Sequence, residues 1–318
     1  MSRGTADASW ARFPLAPAST LLLLVTCVGA IASPAVAGAQ STTETLDFDR
    51  PEAWAMVRLT SLTLLSSLGP PGLGRTAEPG GDLRLRITGE VGWVPALSRQ
   101  ERTVGFYGTK EEDTNKSPVF GRFRVGLSGG AGWSAELAAM PPVEIGGARP
   151  FLVAGSVGWS RSLSDVALGI RVHAQEGYVQ GDITCPARIV AAGDDLERNP
   201  FRCEEPSSDR LHPRYLAASG SIGTTVGRVQ PFAELSVIRH RARFEVDALY
   251  GGVVDQGVLS TRGTGWSVSG GVAGARIRGV DLVVEAFYSP LTVQRRFNQP
   301  RERAGAWNVR LGVSVDPG

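Results

Sequence analysis

The sequence is poor in histidine, cysteine and lysine. It holds three histidines and three cysteines in 318 residues, too few for an elaborate metal centre or a disulfide-dense scaffold. Lysine occurs only at positions 110 and 116, although Lys and Arg together number 33. That imbalance reads as the coding bias of a GC-rich genome. A net charge of +2 gives no electrostatic case for nucleic acid. Long hydrophobic runs are also missing. Beyond the N-terminus no stretch reaches the ~20 consecutive apolar residues of a membrane helix.

The N-terminus has the layout of an export signal. Arg3 and Arg12 supply a positive lead, "TLLLLVTCVGAIA" (20–32) an apolar run, and "AGA" (37–39) a small-residue cleavage site. The spacing predicts a signal peptide over 1–39, cut after Ala39. A retained anchor and a lipoprotein signal at Cys27 are the alternatives; Thr26 is a poor neighbour for the second. Cleavage leaves Cys185 and Cys203, an even pair in an oxidising compartment, which reads as one disulfide. No metal site is expected, since these cysteines with His212 lack a fourth ligand.

What the chain has in quantity is period-two alternation. In "VALGIRVHAQ" (166–175), Val166, Leu168, Ile170, Val172 and Ala174 share one side of an extended strand. Arg171, His173 and Gln175 share the other. The same rule runs through "DLRLRITGEVGWV", "VFGRFRVGL", "WSAELAA", "FLVAGSVGW", "WSVSGGVAG", "VDLVVEAFY" and "WNVRLGVSV". In 229–246 the apolar phase slips by one residue, from Ala233, Leu235 and Val237 to His240, Ala242, Phe244 and Val246. A β-bulge is the expected cause.

Ten strands are counted from residue 82, and their connections alternate strictly. "SGGAG", "RSLS", "VGRV" and "RIRG" are tight turns; 96–117, 141–148, 181–212, 247–262 and 297–303 are longer and polar. Short turns on one side and long loops on the other is the layout of a bacterial outer-membrane barrel. Trp93, Trp133, Trp159, Trp266 and Trp307, with Tyr178, Tyr288 and Phe151, sit in the apolar register near expected strand ends. That is where two membrane interfaces would place an aromatic girdle. On this pattern residues 82–316 resemble the outer-membrane β-barrel proteins of Gram-negative bacteria, the broad OmpA- and OmpX-like class. Many of that class end on an aromatic residue, whereas this sequence ends Val315-Asp316-Pro317-Gly318.

The expected fold is therefore all-β: a closed up-and-down antiparallel transmembrane barrel of about ten strands over 82–318, preceded by a periplasmic segment over 40–81. Within that segment Asp49, Pro51 and Glu52 can start a helix over 51–66; an additional strand is the other reading. A narrow barrel of this class fills its lumen with side chains. The inward register holds Arg84, Arg86, Arg122, Arg124, Arg171, Arg239, Arg241, Arg243 and Arg310 against Glu90, Glu136, Glu234, Asp281 and Glu285. These are the candidate site residues, as a salt-bridge plug or as a small polar pore.

A non-enzymatic barrel working through its surface loops is the expected function, as envelope structure, adhesion or ligand contact. The competing reading is a soluble exported lipocalin-like barrel with the apolar face inside, binding an apolar ligand. An outer-membrane hydrolase is a third. The class includes omptin-like proteases, yet His173, His212 and His240 carry no protease or lipase motif around them. No cofactor is expected. The expected partners are outer-membrane lipid, lipopolysaccharide and an extracellular ligand, the chain being a monomer.

Overall fold

The computed structural model describes residues 83–104, 110–274, 280–293 and 302–317. The expected signal peptide and the stretch at 51–66 lie outside these residues. In chain order the strands are β1 (Arg84–Trp93), β2 (Thr103–Val104), β3 (Lys110–Glu111), β4 (Val119–Ser128) and β5 (Trp133–Met140). Next come β6 (Ala148–Leu163), β7 (Val166–Gly181), β8 (Asp209–Thr224), β9 (Gln230–Glu245) and β10 (Ala248–Tyr250). The series ends with β11 (Val253–Asp255), β12 (Val258–Ala273), β13 (Val280–Val293) and β14 (Glu302–Val315). Two one-turn helices lie in the loops, α1 (Arg99–Arg102) and α2 (Ala187–Val190).

Ten of the strands close a barrel in the order β1-β14-β13-β12-β9-β8-β7-β6-β5-β4, every neighbour antiparallel. The other four make two small hairpins, β2–β3 and β10–β11, within the long connections. Strand β1 pairs with β4 on one side and β14 on the other, so no edge is left unpaired.

The wall is inside-out relative to a soluble sheet. Leu168 is 42% exposed on the outer face and Leu311 45%, while Glu90 and Arg122 are buried inside. Ala167, Gly169, Arg171, His173 and Gln175 face the lumen, and their aliphatic neighbours face out. An apolar outer surface on this scale is stable only against hydrocarbon. A closed barrel also pairs the backbone groups that lipid leaves without partners. The lipocalin-like alternative required the apolar face inside, and it is outside.

The outer face is apolar for only part of its height. Strands β6, β7, β8, β9 and β12 each have 16 residues, against the ~9–11 that a tilted strand needs to cross a bilayer. On β9 the outward residues run Ala233, Leu235, Val237 and then Arg239, Arg241, Arg243. On β12 they run Val272, Val268, Trp266 and then Thr264, Arg262. Toward the loops the environment outside changes from lipid to water, and the pattern inverts there.

This inversion corrects the expected bulge. The β9 register against β8 and β12 is uninterrupted, Arg210↔Glu245 to Gly223↔Phe232 and Val258↔Glu245 to Ala273↔Gln230. Ile238, Ala242 and Phe244 keep the inward phase of Phe232, Glu234 and Ser236, and are buried. The apparent slip of phase is the apolar side moving indoors once the outside is wet.

The aromatic residues mark the borders of the apolar band. Trp133 and Trp159 pair in register at the tight-turn side. Trp93 and Trp307 meet edge to face with ring centroids 5.2 Å apart at the loop side, and Tyr288 pairs in register with Trp307. Trp266 and Tyr288 lie mid-strand, not near strand ends as expected, because their strands continue into water. Tyr178 sits beyond the outward-facing Glu176, stacked near Phe151 and under Arg210.

Two ladders in the wall are short. The β4–β5 pairing runs only from Phe123↔Ala139 to Ser128↔Ser134, and β12–β13 only from Val268↔Tyr288 to Ala273↔Val283. Each stops within two residues of a proline, Pro141 and Pro290, which has no N–H to donate.

A charge on the lipid face should cost much more than one beyond the band. Leu311→Arg should destabilise the barrel by ~2–4 kcal/mol, as at mid-membrane positions of other barrels, whereas Leu168→Arg, opposite the outward Arg161 and beyond the Trp159 border, should cost only ~0–1 kcal/mol. Urea titration of vesicle-embedded protein would measure this, and a neutral Leu311→Arg would refute the lipid-facing assignment.

Candidate functional site

The interior at mid-barrel is an ion-pair chain built from adjacent strands. Glu90 on β1 is a register neighbour of Arg122 on β4, and Arg310 on β14 of Glu285 on β13. The Glu90 carboxylate takes Arg122 at 3.2 Å, Arg124 at 2.8 Å and Arg310 at 3.4 Å. Arg124 also reaches Glu136 at 2.7 Å, and Arg310 reaches Glu285 at 2.8 Å. Planar guanidinium forks suit such shared carboxylates better than lysine would. Glu90, Arg122, Arg124, Glu285 and Arg310 are all buried.

The local sequence makes room for this layer. Gly92 follows Glu90 on the inward face, and a Cβ there would fall 2.1 Å from the Phe120 ring. Phe120 in turn lies under the Arg122 guanidinium, 5.5 Å from ring centroid to Cζ. Below the main layer, Thr88 and Ser314 hydroxyls are 2.8 Å apart. Nearer the tight turns, Arg86 bonds Asp316 at 3.0 Å and approaches Asp281 at 3.9 Å.

The remaining candidates divide. Glu234 is buried in the lumen and accepts a 3.4 Å bond from the Ser236 hydroxyl. Arg171 lines a cavity of about 20 Å³ with Arg124, Glu136, His173 and Tyr215, a space on the scale of one water. Arg84 keeps the inward register but is exposed at the turn-side rim. Arg239, Arg241 and Arg243 are corrected: all three are exposed on the outside of the wall. Their inward placement depended on the bulge that the register excludes.

Above the charge layer the interior becomes apolar, a feature the sequence reading missed. Phe120, Met140, Leu152, Val179, Leu211, Phe244 and Leu259 from the strands meet Ile183, Cys185, Cys203, Val246 and Ala248 from the loops in one buried cluster. The Cys185–Cys203 disulfide lies inside it, with Cα atoms 5.7 Å apart. The base of the 181–212 connection is therefore core, not solvated loop. The inverted phase of β9 was the available signal.

The loops above this cluster are tied to one another. Asp209 accepts from the Ile183 and Thr184 N–H groups and the Ser207 hydroxyl on one oxygen, and from the Asp247 N–H on the other. Lys116 bonds Asp182 at 2.8 Å and Asp113 at 3.0 Å. Burial works against the Lys116 ammonium, but these carboxylates outweigh it and hold its pKa above the ordinary lysine value. Lys110 lies over both the Phe201 and Tyr250 rings. Beside β4 and the segment after β5 a cavity of about 400 Å³ is lined by Phe120, Phe123, Met140, Pro141, Val143 and Pro150 among others.

The histidines do not assemble a catalytic set. His173 is buried against Tyr215, with no hydrogen bond to Nδ1. His212 approaches Glu245 at 3.5 Å on the outer wall, and His240 packs against Gly263. Among the described residues no group of three metal-ligating side chains converges.

Closed wall, outward apolar band, charge-lined lumen and alternating turns and loops together define an integral outer-membrane β-barrel. No family model matches the chain, and no curated protein sequence matches it. Among solved structures it is similar to Neisserial surface protein A, at 14% identity and TM-score 0.28, over 73% of this chain and 96% of that one. The translocator domain of the autotransporter NalP from Neisseria meningitidis aligns at 10% identity and TM-score 0.37, over 75% and 89%. The outer membrane protease OmpT from Escherichia coli aligns at 6% identity and TM-score 0.32, over 74% and 95%. These scores are low, and the assignment rests on the wall itself.

Removing the shared carboxylate should be the costliest single change inside. Glu90→Gln leaves three guanidinium groups short of their common partner and should cost ~3–5 kcal/mol, the scale for a broken buried pair. Arg86→Gln at the half-open rim should cost ~0–1 kcal/mol. Urea midpoints in vesicles would compare them. In the cap, Asp209→Asn turns an acceptor into a donor and should cost ~1–3 kcal/mol, read as faster proteolysis of the 182–208 loop.

Proposed function

We propose that this chain is a plugged, non-enzymatic outer-membrane barrel that works through its loop end, as a surface contact for an extracellular ligand. One observation carries the reading: the interior is filled at two levels while the loops are organised into a bonded cap. Charge occupies mid-barrel and the disulfide-containing apolar cluster occupies the loop end, both buried among the described residues. Ordering the loops has an entropy cost, which cross-loop bonds such as Gly252 N–H to Glu204 and Glu204 N–H to the Leu249 carbonyl offset. Such a cap presents a fixed surface, including the exposed Leu196, Val253 and Val254. Outer-membrane lipid and lipopolysaccharide are the partners of the wall, and the barrel acts as a monomer.

The long loops face outward and both mature termini face the periplasm, as in other bacterial barrels. An epitope after Asp195 should be labelled on intact cells, and one within Arg161–Ser164 only after permeabilisation. The opposite pattern would invert the reading. In planar bilayers the folded protein should show no steady conductance; an open-channel current would replace the plug with a pore.

The disulfide closes a ring with a sequence separation of 18 residues and should contribute ~3 kcal/mol in the chain-entropy view. Cys185→Ser/Cys203→Ser should still insert, because the wall does not depend on it. Its cap should open to external protease faster than the parent's, and equal cleavage rates would count against a stapled cap.

A further inference from the structure

The outer wall carries a row of arginines that carboxylates among the described residues balance only in part. Arg214 on β8, Arg241 on β9 and Arg262 on β12 are direct register neighbours, Arg214↔Arg241 and Arg262↔Arg241. All three are exposed on the outer face. Like charges placed directly opposite one another across strands are destabilising. Here three stand side by side, with Arg239 and Arg243 next along β9 on the same face.

Little among the described residues neutralises them. Arg214 approaches Glu176 at 3.7 Å with both side chains largely exposed, and Arg243 takes Glu245 at 3.1 Å. Among the described residues no carboxylate lies within ion-pair distance of Arg239, Arg241 or Arg262. Their height on the wall is equally specific. In register, Ala218↔Val237↔Trp266 is apolar, Leu216↔Arg239↔Thr264 is the first mixed row, and Arg214↔Arg241↔Arg262 is next. The cations begin where the lipid-facing band and its tryptophan end. On the loop side of the band this is the headgroup layer of the outer leaflet.

We propose that this row is a binding site for the phosphate groups of an outer-leaflet lipid, whose acyl chains lie against Leu216, Ala218, Val237 and Trp266 below. Guanidinium forks take phosphate oxygens in pairs, which suits Arg over Lys at each position. A bridging dianion turns the repulsion within the row into a shared attraction. The inference rests on the barrel and its outward loops as proposed above, and names the lipid chemistry that this sector of the wall selects.

The test uses the full-length protein folded into phosphatidylcholine vesicles, with and without added lipid A, and reads the urea midpoint. Lipid A should raise the midpoint of the parent. R241Q/R262Q should lose most of that gain, yet be no less stable than the parent in phosphatidylcholine alone, since repulsion within the row is relieved. Dephosphorylated lipid A should give the parent no gain. R198Q, which alters an exposed loop arginine, should behave as the parent does. Equal gains for parent and R241Q/R262Q would overturn the proposal. So would inorganic phosphate in phosphatidylcholine vesicles reproducing the gain, which would make the ligand a free anion. Failure of the parent to insert into either vesicle would instead refute the membrane-barrel reading beneath it.

Discussion

Backbone hydrogen bonding in hydrocarbon is the constraint on which the rest of this molecule depends. A strand in lipid has no water to satisfy its peptide groups, so the sheet must close on itself. Closure fixes a narrow lumen, and the lumen fixes what can fill it. Period-two alternation then assigns every second residue to lipid and its neighbour to the interior. Once β1 pairs with both β4 and β14, the polar halves of ten strands face one another across a small space. Arginine and glutamate become tolerable there because each can be given to another.

That interior is better understood as specification than as net stabilisation. Desolvating Glu90, Arg122 and Arg310 costs several kcal/mol per ion, and their mutual attraction has first to make that good. An apolar filling of equal volume could be as stable. It would not fix which strand lies beside which, whereas a carboxylate on β1 shared by β4 and β14 does so at the point of closure. For this chain the charge layer is consistent with a registration device at the first and last strands.

Much of this was legible in the sequence. The count of ten strands, the order of short and long connections and the outward face of "VALGIRVHAQ" follow from alternation alone. The inward placement of Glu90, Arg122, Arg124, Glu285 and Arg310 follows from the same rule. What was not legible is the height at which lipid ends. Alternation reports two faces but not which is wet, and the answer changes along a single strand. Val237 and Arg239 share the outer face of β9, one facing lipid and the other water. A rule that kept the apolar side out throughout had to invent a bulge between them, and it carried three arginines to the wrong side. The partner of Arg86 was missed for another reason: Asp316 lies beyond the patterned part of the last strand.

The two short ladders divide the wall unevenly. Between them, on one side, stand β5, β6, β7, β8, β9 and β12; on the other stand β13, β14, β1 and β4. The six-strand part holds most of the tall strands and the base of the cap, and the four-strand part holds every member of the charge layer except Glu136. The barrel can thus be regarded as two curved shells joined along two seams. The Arg124–Glu136 pair is the rivet across one of them, and the Ser289 hydroxyl on the Trp266 carbonyl crosses the other. Separation of the shells breaks fewer backbone bonds than parting β6 from β7. The shortest ladders of the wall thus lie beside Pro141 and Pro290, while the ladders from β6 to β12 run the full height of the cap-bearing shell.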